Sequence, residues 1–229
     1  MPAAQTIEAL PLQQGQILDQ PTFHRRYLEA PPNLRAELIG GVVYIMPSPV
    51  SLDHGSRLCQ VDRWLWVFQE SSVAVRISAD TTTILGPRSE PQPDLQLRIL
   101  QEYGGSSGRT EDGYAAGPPE LLAEIAVSTA SIDLNQKKRD YEQAGVQEYI
   151  VVLPSEVRWF QRVEGQYQPL LPGEDGIFRS IIFPGLWLDP AALLAGDMKR
   201  LRQVARQGIR SPEHRAWTRE IKTRKTTAH

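Results

Sequence analysis

The chain lacks several features that would identify a function at once. It has one cysteine among 229 residues, which excludes an intramolecular disulfide and a zinc site built from cysteines. No apolar run approaches the roughly twenty residues of a transmembrane helix, and the N-terminus has no basic segment followed by an apolar one. We therefore expect a soluble, cytoplasmic protein without membrane contacts, in which Cys59 is a small core residue.

Common catalytic motifs are also missing. The sequence has no Gly-rich phosphate loop and no pair of histidines at metal-ligating spacing, and Ser128-Thr129 does not lie in a nucleophile elbow. These absences make nucleotide-binding, histidine-ligated metal and serine-hydrolase sites poor candidates. A site of another kind has to be sought among isolated charged residues.

The net charge is close to zero, but the charges are unevenly distributed. The formal net charge is −2, yet from Met198 onward ten Lys and Arg residues accompany two Glu residues, so this segment carries about +8 and the remainder about −10. A basic tail can hold nucleic acid through phosphate contacts. The spread of Arg202, Arg206 and Arg210 at helical spacing, with little apolar face between them, favours a solvated helix instead.

The order of apolar and turn-forming segments predicts a mixed α/β protein. Thr22 is typical of a helix cap, and a hairpin about Gly40-Gly41 follows. Further helices are predicted at about 52–70 and 131–144, strands at 73–77, 81–85, 93–99, 121–127 and 148–153, and a second hairpin over 157–170. We divide the chain into an N-terminal arm (1–21), one domain (22–196) and a basic helical tail (197–229).

An acidic residue interrupts an apolar run at Glu124, within Leu121-Leu122-Ala123-Glu124-Ile125-Ala126-Val127. A second, Asp94, opens a strand about thirty residues upstream. An ionised carboxylate in a buried strand costs several kcal/mol unless a cation or hydrogen-bond donors compensate it. If the strands are neighbours, the two carboxylates could share a hard divalent cation such as Mg²⁺. The alternative is a pair of salt-bridged carboxylates with no metal.

Three further residues are candidates for the same site. Lys137 lies on the inward stripe of its predicted helix, where it could orient or deprotonate a water, offset charge on a phosphate, or form only a buried salt bridge. His54 faces inward in the first turn of its helix, although a lone histidine there is more often a satisfied core residue. Glu37, on the first hairpin, has the weakest grounds because it could simply face solvent.

The residues resemble a known family. Pro93-Asp94, Glu124 in an apolar strand and Lys137 in the next helix resemble the PD-(D/E)XK nucleases. The segments AELIGGVVYIMPSPVSLDHG, EPQPDLQLRI, EDGY, PPELLAEIAVSTASIDLNQKKRDYEQAGVQEYIVV and FPGLWLDPAALLAGD more specifically resemble the Uma-two family of restriction-endonuclease-like proteins. The likeness covers roughly residues 22–216.

This resemblance implies a restriction-endonuclease-like core: a mixed central β-sheet flanked by helices, here with an added β-hairpin and the helical basic C-terminal tail. It also implies that Asp94, Glu124 and the carbonyl of Ile125 bind Mg²⁺, or Mn²⁺ in its place, and that Glu37 and His54 lie at the rim. The chain departs from the nuclease pattern at Ala126, where a lysine is usual. Lys137 matches the helix lysine of the Uma-two family.

The expected function is therefore Mg²⁺-dependent hydrolysis of phosphodiester bonds in DNA by an endonuclease. The candidate catalytic residues are Asp94, Glu124, Lys137, His54 and Glu37. Arg109, on a Gly-rich loop, is the candidate phosphate contact. Such enzymes often pair as homodimers to cut two strands. The alternative is a catalytically inactive protein that keeps the nuclease fold and acts in nucleic-acid binding or as a scaffold.

Overall fold

The structure, a computed structural model, describes residues 11–46 and 50–225. Within these ranges the α-helices are α1 (Gln20–Leu28), α2 (Leu52–Gln69), α3 (Ala130–Ile132), α4 (Lys138–Ala144), α5 (Pro190–Ala195), α6 (Met198–Ile209) and α7 (Pro212–Thr223). A 3₁₀ turn covers Gln101–Tyr103, and a π-helical segment, Asp133–Lys137, joins α3 to α4. Over the described part of the chain, no helix has the length and apolar character to cross a bilayer.

The strands are mostly short. They are β1 (Ala36–Ile39), β2 (Val42–Ile45), β3 (Val75–Ala79), β4 (Thr83–Ile84), β5 (Leu95–Ile99), β6 (Gly108–Arg109), β7 (Ala115–Ala116), β8 (Leu121–Ile125), β9 (Glu148–Val152), β10 (Val157–Val163), β11 (Gln166–Leu170), β12 (Phe178–Arg179) and β13 (Trp187–Leu188).

Six of these strands form the central sheet, in the order β11-β10-β9-β8-β5-β3. β8 and β9 are parallel, and the segment containing α3 and α4 connects them. The other neighbours in this sheet are antiparallel. The predicted mixed sheet flanked by helices is therefore confirmed, and the second predicted hairpin, β10–β11, extends the sheet at one edge.

The alternation of side chains along β8 divides the core into two layers. Leu121, Ala123 and Ile125 face the larger layer, where helices α2, α6 and α7 cover the sheet. Leu122 and Ala126 face the smaller layer, which includes Tyr141 of α4. Because successive side chains of a strand point to opposite faces, Glu124 lies on the same side as α4.

The first hairpin forms a separate two-stranded sheet beside α1. Gly40 and Gly41 adopt φ values of +60° and +85°, which only glycine adopts without strain. Phe23 of α1 packs with Leu38 and Val43 of the hairpin in a small apolar cluster. The predicted cap at Thr22 is wrong: α1 begins earlier, because the side chain of Asp19 accepts a hydrogen bond from the Thr22 N–H.

Two other expectations are corrected. The strand predicted at 81–85 is reduced to β4, which pairs with β7 in a small sheet of its own and not with the central sheet. Cys59 is exposed and not a core residue. Val61, Leu65 and Phe68 form the buried face of α2, and Cys59 lies about 160° from Val61 around the helix at 3.6 residues per turn.

The basic tail is helical as predicted, but the described part is not a solvated helix. Leu201 of α6 and Ile221 of α7 are 0% and 1% exposed, and both belong to the larger core layer together with Trp217. The basic side chains occupy the outer faces of helices whose inner faces are apolar. Of the predicted N-terminal arm, residues 1–10 lie outside the described ranges, while Leu12 is buried against the first hairpin.

We predict that Leu201→Ala lowers the free energy of unfolding by about 2–5 kcal/mol, the usual cost of removing a fully buried leucine side chain. Gln203→Ala, on the exposed face of the same helix, should change it by less than about 0.5 kcal/mol. Urea denaturation of both variants and the wild type gives the comparison. Equal stability of the two variants would show that α6 is not part of the core.

Candidate active site

A cleft of about 290 Å³ opens at one end of the central sheet, where the first hairpin, α2 and the π-helical segment converge. Seven of the residues that line it have ionisable side chains: Arg35, Glu37, His54, Asp94, Glu124, Asp133 and Lys137. All five residues nominated for catalysis are among them. Each of the five comes from a different element or strand end, so the tertiary fold alone brings them together.

The sheet register places Asp94 beside Glu124. Leu95 pairs with Ala123 across β5 and β8, so the residue before Leu95 lies next to the residue after Ala123. Oδ2 of Asp94 accepts a hydrogen bond of 2.6 Å from the Ile125 N–H. The Asp94 N–H lies 3.4 Å from Oε2 of Glu124. These contacts hold both carboxylates at the cleft, where β5 begins and β8 ends.

Lys137 is buried among carboxylates. Its Nζ lies 2.9 Å from Oε2 of Glu37, 3.0 Å from Oε1 of Glu124 and 3.9 Å from Oδ1 of Asp133. The hydrogen bond to Glu37 is made with Oε1, at 3.2 Å, while Oε2 has only the ionic contact. The ion pair foreseen as the structural alternative is thus present, and it links the first hairpin to β8.

Lys137 is the last residue of a π-helical segment. Sequence periodicity predicted one continuous helix here, but between Asp133 and Lys137 the backbone hydrogen bonds reach five residues instead of four. The first and last residues of the segment lie on the same side, as residues four apart do in an α-helix as well, and both are almost fully buried, at 1% and 2% exposed. Short π-helical segments are frequent at functional sites.

Electrostatics hold Lys137 in its charged form. Burial disfavours the ammonium, but the carboxylates of Glu124, Glu37 and Asp133 outweigh it and raise the pKa of Lys137. Burial raises the pKa of Glu124, and the charge of Asp94 adds to the effect while Lys137 opposes it. An ammonium with a raised pKa stays protonated near neutrality.

His54 contacts both strands of the site. It lies in the first turn of α2, whose cap is the Ser51 side chain, and its Nδ1 donates a 3.0 Å hydrogen bond to the Ile125 carbonyl. Its Nε2 lies 3.3 Å from Oδ1 of Asp94. The hydrogen bond with Asp94 raises the pKa of His54. The ring is therefore a satisfied histidine that also lies against Asp94 at the cleft.

Glu37 is held from two sides, contrary to the solvent-facing alternative. It is 1% exposed, and its Oε1 accepts a 2.8 Å hydrogen bond from the Gln92 N–H. The hairpin that carries it is anchored by Asp140 of α4, which accepts hydrogen bonds from the Gly40 N–H at 3.1 Å and the Ser89 hydroxyl at 2.5 Å. Burial raises the pKa of Asp140 to about 6.

Sequence reasoning missed the contributions of Asp133, Asp140 and Tyr141. The Tyr141 hydroxyl donates a 2.7 Å hydrogen bond to Oε1 of Glu124, whereas the sequence suggested only packing. The Thr129 hydroxyl donates to Asp133. The spacing of Asp133 four residues before Lys137 was the available signal, because such a pair shares one side of a helix.

Arg109 is the one nominated side chain that the structure leaves outside the cleft. It is exposed on β6, in the small sheet that β6 forms with β7 and β4. It does not line the cleft. Its positive charge lies near Arg98 and adds to burial in lowering the pKa of Arg98. Gly105 of the Gly-rich loop donates a backbone hydrogen bond to Leu100, so the loop lies at the end of β5 away from Asp94.

Asp94, Glu124 and the Ile125 carbonyl are the candidate ligands for a hard divalent cation. Three carboxylates lie 2.9–3.9 Å from the Lys137 ammonium, and Asp94 and Arg35 also line the cleft. Over the described residues there is no group of three or more His, Cys, Asp or Glu arranged to hold a metal ion. A set of two carboxylates and one carbonyl remains, and Mg²⁺ commonly binds to one or two carboxylates and keeps several waters.

Comparison with known proteins gives the family. The sequence profile of the Uma2 family, described as "Putative restriction endonuclease", matches residues 20–191. The chain belongs to the Uma2 family. A search of curated proteins gave no match. Membership in the Uma2 family supports a nuclease and confirms the resemblance inferred from the sequence.

A solved structure shares the fold of this Uma2 protein. It is the crystal structure of "a putative nuclease belonging to DUF820" from Anabaena variabilis ATCC 29413, with a TM-score of 0.53 and 15% sequence identity. The match covers 79% of this chain and 97% of the other. At this identity the likeness supports the fold, and the restriction-endonuclease-like architecture is confirmed.

We predict that Lys137→Met lowers the free energy of unfolding at pH 8 by about 3–5 kcal/mol, because it leaves buried carboxylates without their cation. The loss should shrink toward pH 5. Without the ammonium, the pKa of Glu124 in the folded protein rises further above its reference value of 4.5. Protonated Glu124 therefore favours the folded state below pH 4.5, and this stabilisation is lost as the pH rises through the folded-state pKa.

Urea unfolding at both pH values measures this effect. Lys138→Met is the matched control, because its ammonium lies over the ring of Phe160 and has no carboxylate partner within the described residues. Equal losses for the two variants, or a loss for Lys137→Met that does not change with pH, would contradict the account of the ion pair.

Asp140 should give a second, separate pH dependence. Its pKa is about 6 in the folded protein against 3.8 as the reference, so its contribution to stability is present below pH 3.8 and lost as the pH rises through 6. Relative to Asp140→Asn, the wild type should lose stability between pH 4 and 6.5 and then level off. A pH-independent difference between the two proteins would refute the raised pKa.

Proposed function

We propose that this Uma2 protein is a Mg²⁺-dependent endonuclease that hydrolyses phosphodiester bonds in DNA, with Mn²⁺ able to replace Mg²⁺. The observation that carries the proposal is the group formed by Asp94, Glu124 and Lys137 at an open cleft. Two adjacent carboxylates with a fixed ammonium 3.0 Å from one of them are the groups that metal-assisted phosphoryl transfer needs.

In this proposal Asp94, Glu124 and the carbonyl of Ile125 hold the ion. When bound, the ion would polarise the scissile phosphate and lower the pKa of a water molecule. Lys137 and Tyr141 both contact Oε1 of Glu124, so they orient this carboxylate and leave Oε2 toward Asp94. Because Lys137 stays cationic, its contribution is to offset negative charge and not to accept a proton.

Glu37 and His54 act as positioning residues in the same proposal. Glu37 holds the Lys137 ammonium from the hairpin side. His54 holds Asp94 and the Ile125 carbonyl from the end of α2. Ala126, where a lysine is usual in the wider nuclease group, is buried toward α4. The charge that the missing lysine would supply on this side of the sheet comes from Lys137.

One observation favours the alternative, an inactive nuclease-fold protein that binds nucleic acid or serves as a scaffold. The Lys137 ammonium is already paired with two carboxylates, and such a buried ion pair is complete without a substrate. The two hypotheses differ in one measurable property, which is turnover.

Cleavage of both strands of a duplex would use two copies of the chain, and a homodimer is part of the endonuclease proposal.

The test is cleavage of plasmid and linear DNA by the wild type, Asp94→Asn and Glu124→Gln with Mg²⁺ or Mn²⁺. We expect cleavage by the wild type and a loss on the order of a thousandfold in each variant, since a metal ligand contributes several kcal/mol to the transition state. No cleavage by the wild type over a range of DNA substrates would favour the inactive alternative.

Glu148→Gln is the matched control. Glu148 is another buried glutamate of the central sheet, but its carboxylate accepts from neutral donors, the Ser180 hydroxyl and the Ile181 and Ile182 N–H groups. It does not line the cleft. After correction for the folded fraction, Glu148→Gln should cleave like the wild type. A loss equal to that of Glu124→Gln would show that the assay reports stability and not the site.

A further inference from the structure

The outer face of α6 carries an unbroken basic stripe. Lys199, Arg202, Arg206 and Arg210 are exposed and lie at intervals of three or four residues, which places them on one side of the helix. Within residues 11–46 and 50–225, none of the four has an acidic partner within ion-pair distance, whereas Arg200 of the same helix pairs with Asp189. The stripe spans about 16 Å at 1.5 Å per residue.

A groove beside this stripe contains an exposed tryptophan. Trp66 of α2 is 47% exposed, although the neighbouring Trp64 is 1% exposed and belongs to the core. The groove between α2 and α6 has a volume of about 270 Å³, and its charged lining residues are Arg63, Glu70, Arg202 and Arg206. An indole ring is therefore open to solvent between arginines of two helices, and the groove carries a net positive charge.

The groove is separate from the cleft. Trp66 lies twelve residues beyond His54 on α2, a distance of about 18 Å along the helix axis. No residue lines both. A ligand that reached both places would be an extended chain, because a compact small molecule cannot span that distance.

We propose that the groove between α2 and α6 binds a single-stranded segment of nucleic acid, with a base stacked on Trp66 and phosphates held by Arg63, Arg202 and Arg206. The chemistry of the groove matches this ligand. An exposed aromatic ring offers a surface to any base, and arginines along the same groove follow a phosphate backbone. Paired bases in a duplex do not present their faces, so a double helix would use the charges alone.

This inference goes beyond the proposed nuclease activity and does not depend on it. Binding can be measured with no divalent cation present, so that cleavage plays no part. A protein that fails to cleave DNA can still bind single strands through this groove, and an active nuclease can fail to do so. The two proposals therefore stand or fall on different measurements.

The experiment is a fluorescence-anisotropy titration of labelled oligo-dT and oligo-U in EDTA, with a duplex and an abasic oligonucleotide of equal length as comparisons. Trp66→Ala should weaken binding of both single strands about tenfold, the scale of one stacked base. Trp66→Phe should keep most of the affinity. The abasic strand should bind more weakly than oligo-dT to the wild type and should be indifferent to Trp66→Ala.

The arginines are tested through salt. The double variant Arg202→Gln/Arg206→Gln should lower the slope of log affinity against log salt by about 1.4, since two phosphate contacts to a single strand are lost. Arg158→Gln, an exposed arginine on β10, and Val73→Ala, an exposed apolar residue, should leave both affinity and slope unchanged. Urea unfolding of each variant establishes that the fold is intact.

Several outcomes would overturn the proposal. They are absence of single-strand binding by the wild type at low salt, equal affinity of the wild type and Trp66→Ala, and equal affinity for the abasic and normal strands. Equally tight, Trp66-dependent binding of the duplex would also refute the single-strand assignment, and so would equally tight binding of a poly-glutamate peptide.

Discussion

The buried ammonium of Lys137 is the interaction on which the rest of the site depends. It joins three parts of the chain that have no backbone hydrogen bonds to one another at this point: the first hairpin through Glu37, the central sheet through Glu124 and the π-helical segment itself. Without a cation these carboxylates would repel each other in a region that excludes water, and each would favour protonation. One positive charge therefore links the hairpin to the sheet, beside the hydrogen bond by which Asp140 anchors Gly40.

The two helical layers have different tasks. The larger layer, built from α2, α6 and α7, contributes most of the apolar burial and turns its basic side chains outward. The smaller layer around α4 buries polar and aromatic groups next to the cleft, including Tyr141 and Tyr149. A large apolar layer can offset the unfavourable burial of several charges on the other side of the same sheet. The apolar layer on one face of the sheet therefore helps to stabilise a fold that buries charged groups on the other face.

Local sequence pattern predicted the order of elements, both hairpins and the strand that contains Glu124, because these depend on periodicity and turn residues. It could not distinguish Glu124 from Glu148, which also lies in an apolar strand and is fully buried. The difference lies in the partners: neutral donors for Glu148, a cation and further carboxylates for Glu124. The pairing of Glu37 with Lys137 joins residues 100 positions apart, and no local signal reports it. The tail was misjudged because Leu201, Trp217 and Ile221 are few, and their burial depends on a surface formed by α2.

The π-helical segment couples several side chains to one backbone feature. In an ordinary α-helix each residue turns by about 100°, so loss of one residue between Asp133 and Lys137 would rotate everything before the segment relative to everything after it. Lys137, Asp140 and Tyr141 are all buried after or at the end of this segment. The rotation of the helix after this segment consequently sets the orientation of all three side chains toward Glu37, Gly40 and Glu124 together. The length of this one turn matters as much as the identity of the residues that it presents, and an insertion or deletion there would dismantle the site while leaving its composition intact.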